Sequence, residues 1–164
     1  MRIRLEETTD WTALCAIYSA AFGQLAEADL VRDMHDDGDL ILSLIAYDDK
    51  PAGHIAYSRL ILLGTPSIKA AVLAPLAVTP SFQKQGIGAA LVQDGLKRLT
   101  EKDYDLVLVL GEPHYYGRFG FDPKLAEKLK TPYDGPYLQG LALSDRGKGA
   151  HGPVSYAQAF AELE

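Results

Sequence analysis

The apolar positions of the chain change period repeatedly, and each change marks a different kind of element. Arg2 to Glu6 alternates polar and apolar residues, as a half-buried strand does. From Trp11 to Phe22 the spacing lengthens, and Trp11, Leu14, Ile17 or Tyr18, and Ala21 fall on one face of a helix. Asp10 is placed to cap its start and Gly23 to end it. A second helix is predicted over Ala26–His35, closed by Gly38. "LILSLIAYDD" (Leu40–Asp49) reads as a strand, Asp48, Asp49 and Lys50 as its turn, and "AGHIAYSRLILL" (Ala52–Leu63) as the return strand. "IKAAVLAPLAV" (Ile68–Val78) is a third apolar strand interrupted by Pro75, which has no N–H to give to a ladder, so normal pairing is expected to stop there. The loop "TPSFQKQ" leads into a helix over Gly86–Thr100, then a buried strand, "YDLVLVLG" (Tyr104–Gly111), then a short helix or turn in "EPHYYGRFGF". "YLQGLAL" and "PVSYA" are expected short strands. The order predicts a mixed α/β fold, an antiparallel meander followed by a β-α-β crossover. With 164 residues, no repeat and no low-complexity linker, one domain over 1–164 is expected, its core reaching about residue 121 and tail strands filling 122–164.

Composition narrows the class. Hydrophobic residues make up 48% and charged residues 23%, a globular balance. The only cysteine, Cys15, falls on the apolar helix face and is expected in the core; a disulfide framework is excluded, which suits a reducing, cytoplasmic setting. Met1 to Asp10 is polar and charged, unlike an ordinary signal peptide, and no apolar run reaches the length of a membrane span. The net charge is −6 with no basic stripe, which argues against nucleic acid and mildly favours a cationic small substrate. The four histidines have no metal-ligand spacing, and no Gly-x-Ser-x-Gly element marks a hydrolase.

Gly86 and Gly88 stand where the loop becomes a helix. Glycine inside a helix is less favourable than alanine by roughly 1 kcal/mol, so a pair in a first turn needs a reason. A helix N-terminus presents unpaired backbone N–H groups and a partial positive charge, and an anion binds there if the backbone can come close. Without Cβ atoms Gly86 and Gly88 permit that approach, and the N–H groups from Gln85 through Gly86, Ile87 and Gly88 to Ala89 line the expected cradle. Tight helix–strand packing is the other reading of the pair. A dinucleotide fingerprint requires a third glycine where Leu91 stands, and a P-loop requires Gly-Lys-Ser or Gly-Lys-Thr, so neither fits.

Gln83-Lys84-Gln85-Gly86-Ile87-Gly88, after an interrupted strand and before a helix, resembles the pyrophosphate loop Gln/Arg-x-x-Gly-x-Gly/Ala of the GNAT superfamily of acyl-CoA N-acetyltransferases. "PLAV" upstream is similar to that family's bulged fourth strand and "LVQDGLKRL" to its third main helix. "YYGRFGF" (Tyr115–Phe121) is similar to its Tyr-x-x-x-Gly-Phe signature. "LGEPHYYGRFGF" resembles the Gly-Asp-Pro-x-Tyr-Tyr-x-Arg-Phe-Gly-Phe block of a bacterial subgroup of acetyltransferases, with Glu112 in place of the aspartate. The resemblance runs from about Arg2 to Phe121. It implies a mostly antiparallel sheet splayed between the fourth and fifth strands and flanked by helices. It implies an acyltransferase that moves acetyl from acetyl-CoA to a primary amine of a small acceptor by direct attack, with no metal. By the same resemblance, backbone groups of Leu76, Ala77 and Val78 line the pantetheine arm, Gln83, Lys84, Gln85 and the helix start hold the pyrophosphate, and Tyr116 is the general acid. Whether Tyr115 or Tyr116 faces the thioester stays open. Glu112, His114 and His54 are candidate general bases, and Phe22, Glu27 and Tyr137 candidate acceptor contacts. Homodimers are common among such enzymes. Many members carry an Asn on the fifth strand where this chain has Val109, so that hydrogen bond is missing or supplied otherwise. The competing reading is a non-catalytic acyl-CoA-binding sensor or interaction module on the same fold.

Overall fold

The computed structural model describes residues 1–163. Its strands are β1 (Arg2–Leu5), β2 (Leu40–Asp48), β3 (Lys50–Leu62), β4 (Ala70–Val78), β5 (Leu106–Leu110), β6 (Leu129–Lys130), β7 (Leu138–Ala142) and β8 (Gly152–Tyr156). Its α-helices are α1 (Trp11–Phe22), α2 (Ala26–Asp36), α3 (Ile87–Glu101), α4 (Pro113–Tyr116) and α5 (Pro123–Ala126). The strand order is β1-β2-β3-β4-β5-β7, and β8 pairs with β3 and β6. Antiparallel pairs (β1–β2, β3–β8, β5–β7) sit beside parallel β4–β5 and β6–β8. This is the mixed, mostly antiparallel α/β class, with α3 as the crossover between parallel β4 and β5. β6 and α5 are too short to leave a period in the sequence.

The chain clusters into two compact units. The first comprises Met1–Tyr57, Pro75–Gly95 and residues 158–163. Leu14, Ile17 and Tyr18 of α1 and Ala28, Val31 and Met34 of α2 are buried, as are Leu44, Ile45, Ile55 and Tyr57 of the β2–β3 hairpin. Both hairpin strands are nearly continuous apolar runs, the signature of strands covered on both faces. Asp49, at φ 64, makes the turn between them; a short polar side chain tolerates this left-handed backbone.

Two expectations for α1 are corrected. Cys15 is half-buried rather than in the core, because it lies one position off the Leu14–Tyr18 stripe. Asp10 does not cap α1 with its side chain. Its carboxylate accepts the Arg4 guanidinium at 2.7 and 2.9 Å and the Glu7 N–H at 2.7 Å, closing the 3-10 turn Thr8–Asp10 just before the helix. The Arg4 hydrogen bonds hold the Asp10 carboxyl down at about 2. Elsewhere in this unit, α3 meets β3 at a position that only glycine can fill. A Cβ at Gly95 would lie 2.3 Å from Cε2 of Tyr57. The Tyr57 hydroxyl donates to the Val92 carbonyl at 3.2 Å, so ring and helix lock together.

The second unit comprises Ser58–Ala74 and Leu96–Ala157. Its centre is β5, where Leu106, Val107, Leu108 and Val109 are buried. Ala70–Leu73 of β4 pair with Leu106–Val109, and the register ends at Leu73, just before Pro75. The strand thus stops pairing with β5 where the proline forecast it.

Candidate functional site

The glycine pair sits at the end of β4 and the start of α3, in the first unit. The Thr79 N–H donates to the Ala52 carbonyl at 2.8 Å, tying the end of β4 to β3. A 3-10 turn, Pro80–Phe82, follows. Lys84 (φ 65) and Gly86 (φ 81) are both left-handed and curl the loop back into the helix. Gln83, Lys84, Gln85 and Gly86 are exposed, whereas Ile87 is buried and pins the helix start. The Gly86 carbonyl accepts the Ala90 N–H at 3.0 Å. The N–H groups of Ile87, Gly88 and Ala89 therefore fall in the first turn, where no intrahelical acceptor exists. No acidic side chain occupies that turn, and a Cβ at Gly86 would meet nothing within 4 Å. Open space, bare backbone and convergent donors fit an anion such as a pyrophosphate. Leu76 and Val78 are half-buried and Ala77 is buried. The Gln83 amide is turned toward the strand: its Nε2 donates to the Val78 carbonyl at 3.0 Å.

Tyr116 belongs to the second unit. Its ring lies on Gly111, where a Cβ would come 2.5 Å from Tyr116 Cε2. It meets the Tyr115 ring edge-on at 4.9 Å and Phe121 at 5.8 Å. Burial, with Tyr115 adding to it, pushes its phenol up to about 12. Among the described residues no hydrogen bond engages the Tyr116 hydroxyl. Tyr115 instead packs under Arg118, whose guanidinium lies 4.5 Å from the ring centre. Glu112 and His114 are exposed, and Tyr115 and Tyr116 both donate their N–H groups to the Glu112 carbonyl. Directly across the β5–β7 pair from Val109 stands Gln139, a fully buried amide.

His54 lies in the first unit and is fully buried. Its Nδ1 is 2.7 Å from the Tyr18 hydroxyl, and its Nε2 is 2.7 Å from Ser43 Oγ and 3.1 Å from Glu6 Oε1. Ser43 donates to the Glu6 carboxylate. The Tyr18 phenol is raised well above its usual value by burial, so it donates to Nδ1, and the Nε2–H points at Ser43 and Glu6. Burial lowers the His54 value against the pull of Glu6 and keeps the ring neutral. Burial pushes the Glu6 carboxyl up, but its hydrogen bonds with His54 and Ser43 outweigh this and its value is lowered. A ring so enclosed cannot touch a substrate, which removes His54 as a direct base. A cavity of about 440 Å³ opens beside Glu6, Trp11, Arg32 and Ser43. It lies at the start of β2, the far end of the hairpin from Ala52 and the glycine loop, and is distinct from the cradle.

Of the expected acceptor contacts, Phe22 and Tyr137 are exposed, and Glu27 is half-buried and accepts the Gln24 amide. Phe22 stacks on Tyr18 at 6.0 Å. Among the described residues no group of three or more His, Cys, Asp or Glu could hold a metal, and no helix is long and apolar enough to cross a membrane.

Residues 6–121 match the family model for acetyltransferases of the GNAT type, and the chain belongs to this family of acyltransferases. It is 35% identical over 165 residues to the uncharacterized N-acetyltransferase YhbS of Escherichia coli (strain K12), with 98% of each chain covered. The structure matches the crystal structure of the GNAT family N-acetyltransferase YhbS from Escherichia coli in complex with CoA, with a TM-score of 0.91 and 34% identity, covering 99% of this chain and 93% of that one. It matches a GNAT family acetyltransferase from Brucella melitensis in complex with acetyl-CoA with a TM-score of 0.81 and 31% identity, covering 97% of each.

Proposed function

We propose that this chain is a cytoplasmic, single-domain N-acetyltransferase that carries an acetyl group from acetyl-CoA to a primary amine of a small acceptor. The observation that supports it most is the start of α3: open backbone at Gly86, first-turn N–H groups and no competing carboxylate. In this reading Gln85 to Ala89 hold the pyrophosphate, Lys84 adds a positive charge, and backbone groups of Leu76, Ala77 and Val78 line the pantetheine arm. Gln83, whose amide donates to the Val78 carbonyl, fastens the loop beside the pyrophosphate.

The amine nitrogen adds to the thioester carbon, the C–S bond breaks with its electron pair on sulfur, and the nitrogen loses its proton to solvent or to a base. Tyr116 meets the leaving sulfur with its O–H. A phenol at about 12 would give its proton uphill to a thiolate whose conjugate acid, judged from cysteine, titrates at about 8.5. Tyr116 therefore acts chiefly by hydrogen-bonding the developing thiolate. A hydrogen bond to a charged partner contributes about 1.5–3 kcal/mol, so Tyr116→Phe slows turnover about 10- to 100-fold.

The test is thiol release from acetyl-CoA in the presence of a panel of small primary amines, read with a chromogenic disulfide. Amine-dependent release that falls in Tyr116→Phe supports the proposal. Wild-type turnover in that variant removes Tyr116 from the mechanism. Saturable acetyl-CoA binding with no release from any amine favours the non-catalytic acyl-CoA binder instead.

A further inference from the structure

Gln139 of β7 is 0% exposed, an unusual place for an amide. Its Nε2 donates to the Gly111 carbonyl at 3.1 Å and reaches the Tyr137 carbonyl at 3.4 Å. Its Oε1 is buried without a partner. The two carbonyls fix the orientation, because turning the amide over would set Oε1 against two other acceptors. The arrangement tolerates an orphaned acceptor that an apolar side chain of the same shape would not have.

The amide holds the end of the β5–β7 ladder. Leu110 and Leu138 form the last paired positions of β5 and β7. One step beyond, the Gly111 N–H donates to the Tyr137 carbonyl at 3.0 Å. Gln139 thus clamps the final rung before the chain leaves β5 for α4. Gly111 is also the surface on which the Tyr116 ring lies, with room for no Cβ.

We infer that Gln139 is a positioning residue: by clamping the Gly111 carbonyl it sets the bare face of Gly111 under the Tyr116 ring and so aims the Tyr116 hydroxyl. The inference deepens the proposed role of Tyr116 and rests on it for its catalytic consequence, but the seating of the ring is measurable by itself.

The experiment places 3-fluorotyrosine at position 116 and records its fluorine resonance in wild type, Gln139→Leu and Gln139→Met. Turnover, KM for acetyl-CoA and melting temperature are measured on the unlabelled proteins. The expected result is a resonance displaced toward its solvent position and turnover lower by about 10-fold, since misplacing a group by an ångström can cost about 100-fold. KM for acetyl-CoA should stay within about twofold, and the melting temperature should move little, because each variant removes an orphaned acceptor along with a donor. A wild-type resonance in either folded variant overturns the proposal, whatever the turnover. A displaced resonance with unchanged turnover also overturns it if Tyr116→Phe is slow. If Tyr116→Phe is as fast as wild type, a displaced resonance upholds the seating role, and it is the catalytic reading of Tyr116 that fails.

Discussion

Gly86→Glu puts both bulk and negative charge into the open space before α3. In the free protein the change should be mild. A non-glycine residue in the left-handed region costs about 1–2 kcal/mol, but nothing lies within 4 Å of the added Cβ. A carboxylate at a helix N-terminus returns about 0.3–1 kcal/mol. The net loss, about 1 kcal/mol, lowers the melting temperature by about 2–4 °C in a chain of this size. With ligand the effect grows. A carboxylate about 6 Å from each of two pyrophosphate charges, at an effective dielectric of about 40, opposes each by about 1.4 kcal/mol. About 3 kcal/mol in total weakens CoA binding about 100-fold. The assay is thermal unfolding with acetyl-CoA, CoA or ATP. At 100 times its dissociation constant a ligand adds about 2.7 kcal/mol to the wild type, or about 5–10 °C. At the same concentration the variant keeps only about 0.4 kcal/mol, or about 1 °C. Gly86→Ala separates bulk from charge and should fall between. A wild-type response to CoA in Gly86→Glu would refute the cradle. Silence of the wild type toward millimolar acetyl-CoA would leave helix packing as the better account of the glycine pair.

Gly95→Ala should lower the melting temperature by about 4–8 °C: overpacking against the buried Tyr57 ring costs about 3 kcal/mol, and helix propensity returns only about 1. A raised melting temperature would show that the ring yields. His54→Gln should destabilise the fold by about 1–3 kcal/mol, through unpaired Tyr18 and Ser43, while kcat per folded molecule holds; a large loss of kcat at an unchanged melting temperature would return His54 to the chemistry. With its phenol at about 12, Tyr116 stays protonated through the assay range, so a basic limb near pH 10 that vanishes in Tyr116→Phe would contradict the structure. The sign for stability follows: the folded value lies above the unfolded one of about 10, so the contribution is complete below about pH 10 and is lost as pH rises toward 12, a loss absent from the Phe variant.

Features legible in the sequence are those whose cause is local. Pro75 lacks an N–H wherever it stands, and the β4–β5 register stops just before it. Gly86 and Gly88 oppose helix propensity whatever surrounds them, which left an anion site or tight packing as readings of the pair; in the structure Gly86 takes a left-handed φ of 81 just before α3 begins at Ile87. The β2–β3 hairpin and α1 announced themselves by period, because burial of a face repeats along the chain. What was not legible depends on partners that only the folded register brings together. Tyr18 and His54 are 36 positions apart, and His54 and Glu6 are 48 apart. No spacing rule connects them, so in the sequence His54 stood only as one candidate base beside Glu112 and His114, and the fold encloses it. The same holds for Asp10, whose capping geometry was local but whose strongest partner, Arg4, comes from β1. Gln139 is the sharpest case. Nothing around it in sequence marks it, yet the register sets it opposite Val109 and within reach of the Gly111 carbonyl. Local signals therefore bring out single residues and turns, such as Pro75, Asp49 and the glycines at the start of α3, whereas pairing across strands decides how a side chain is held. It follows that variants at register-dependent positions such as Gln139 should alter rate more than ligand affinity, and variants at the glycine loop the reverse.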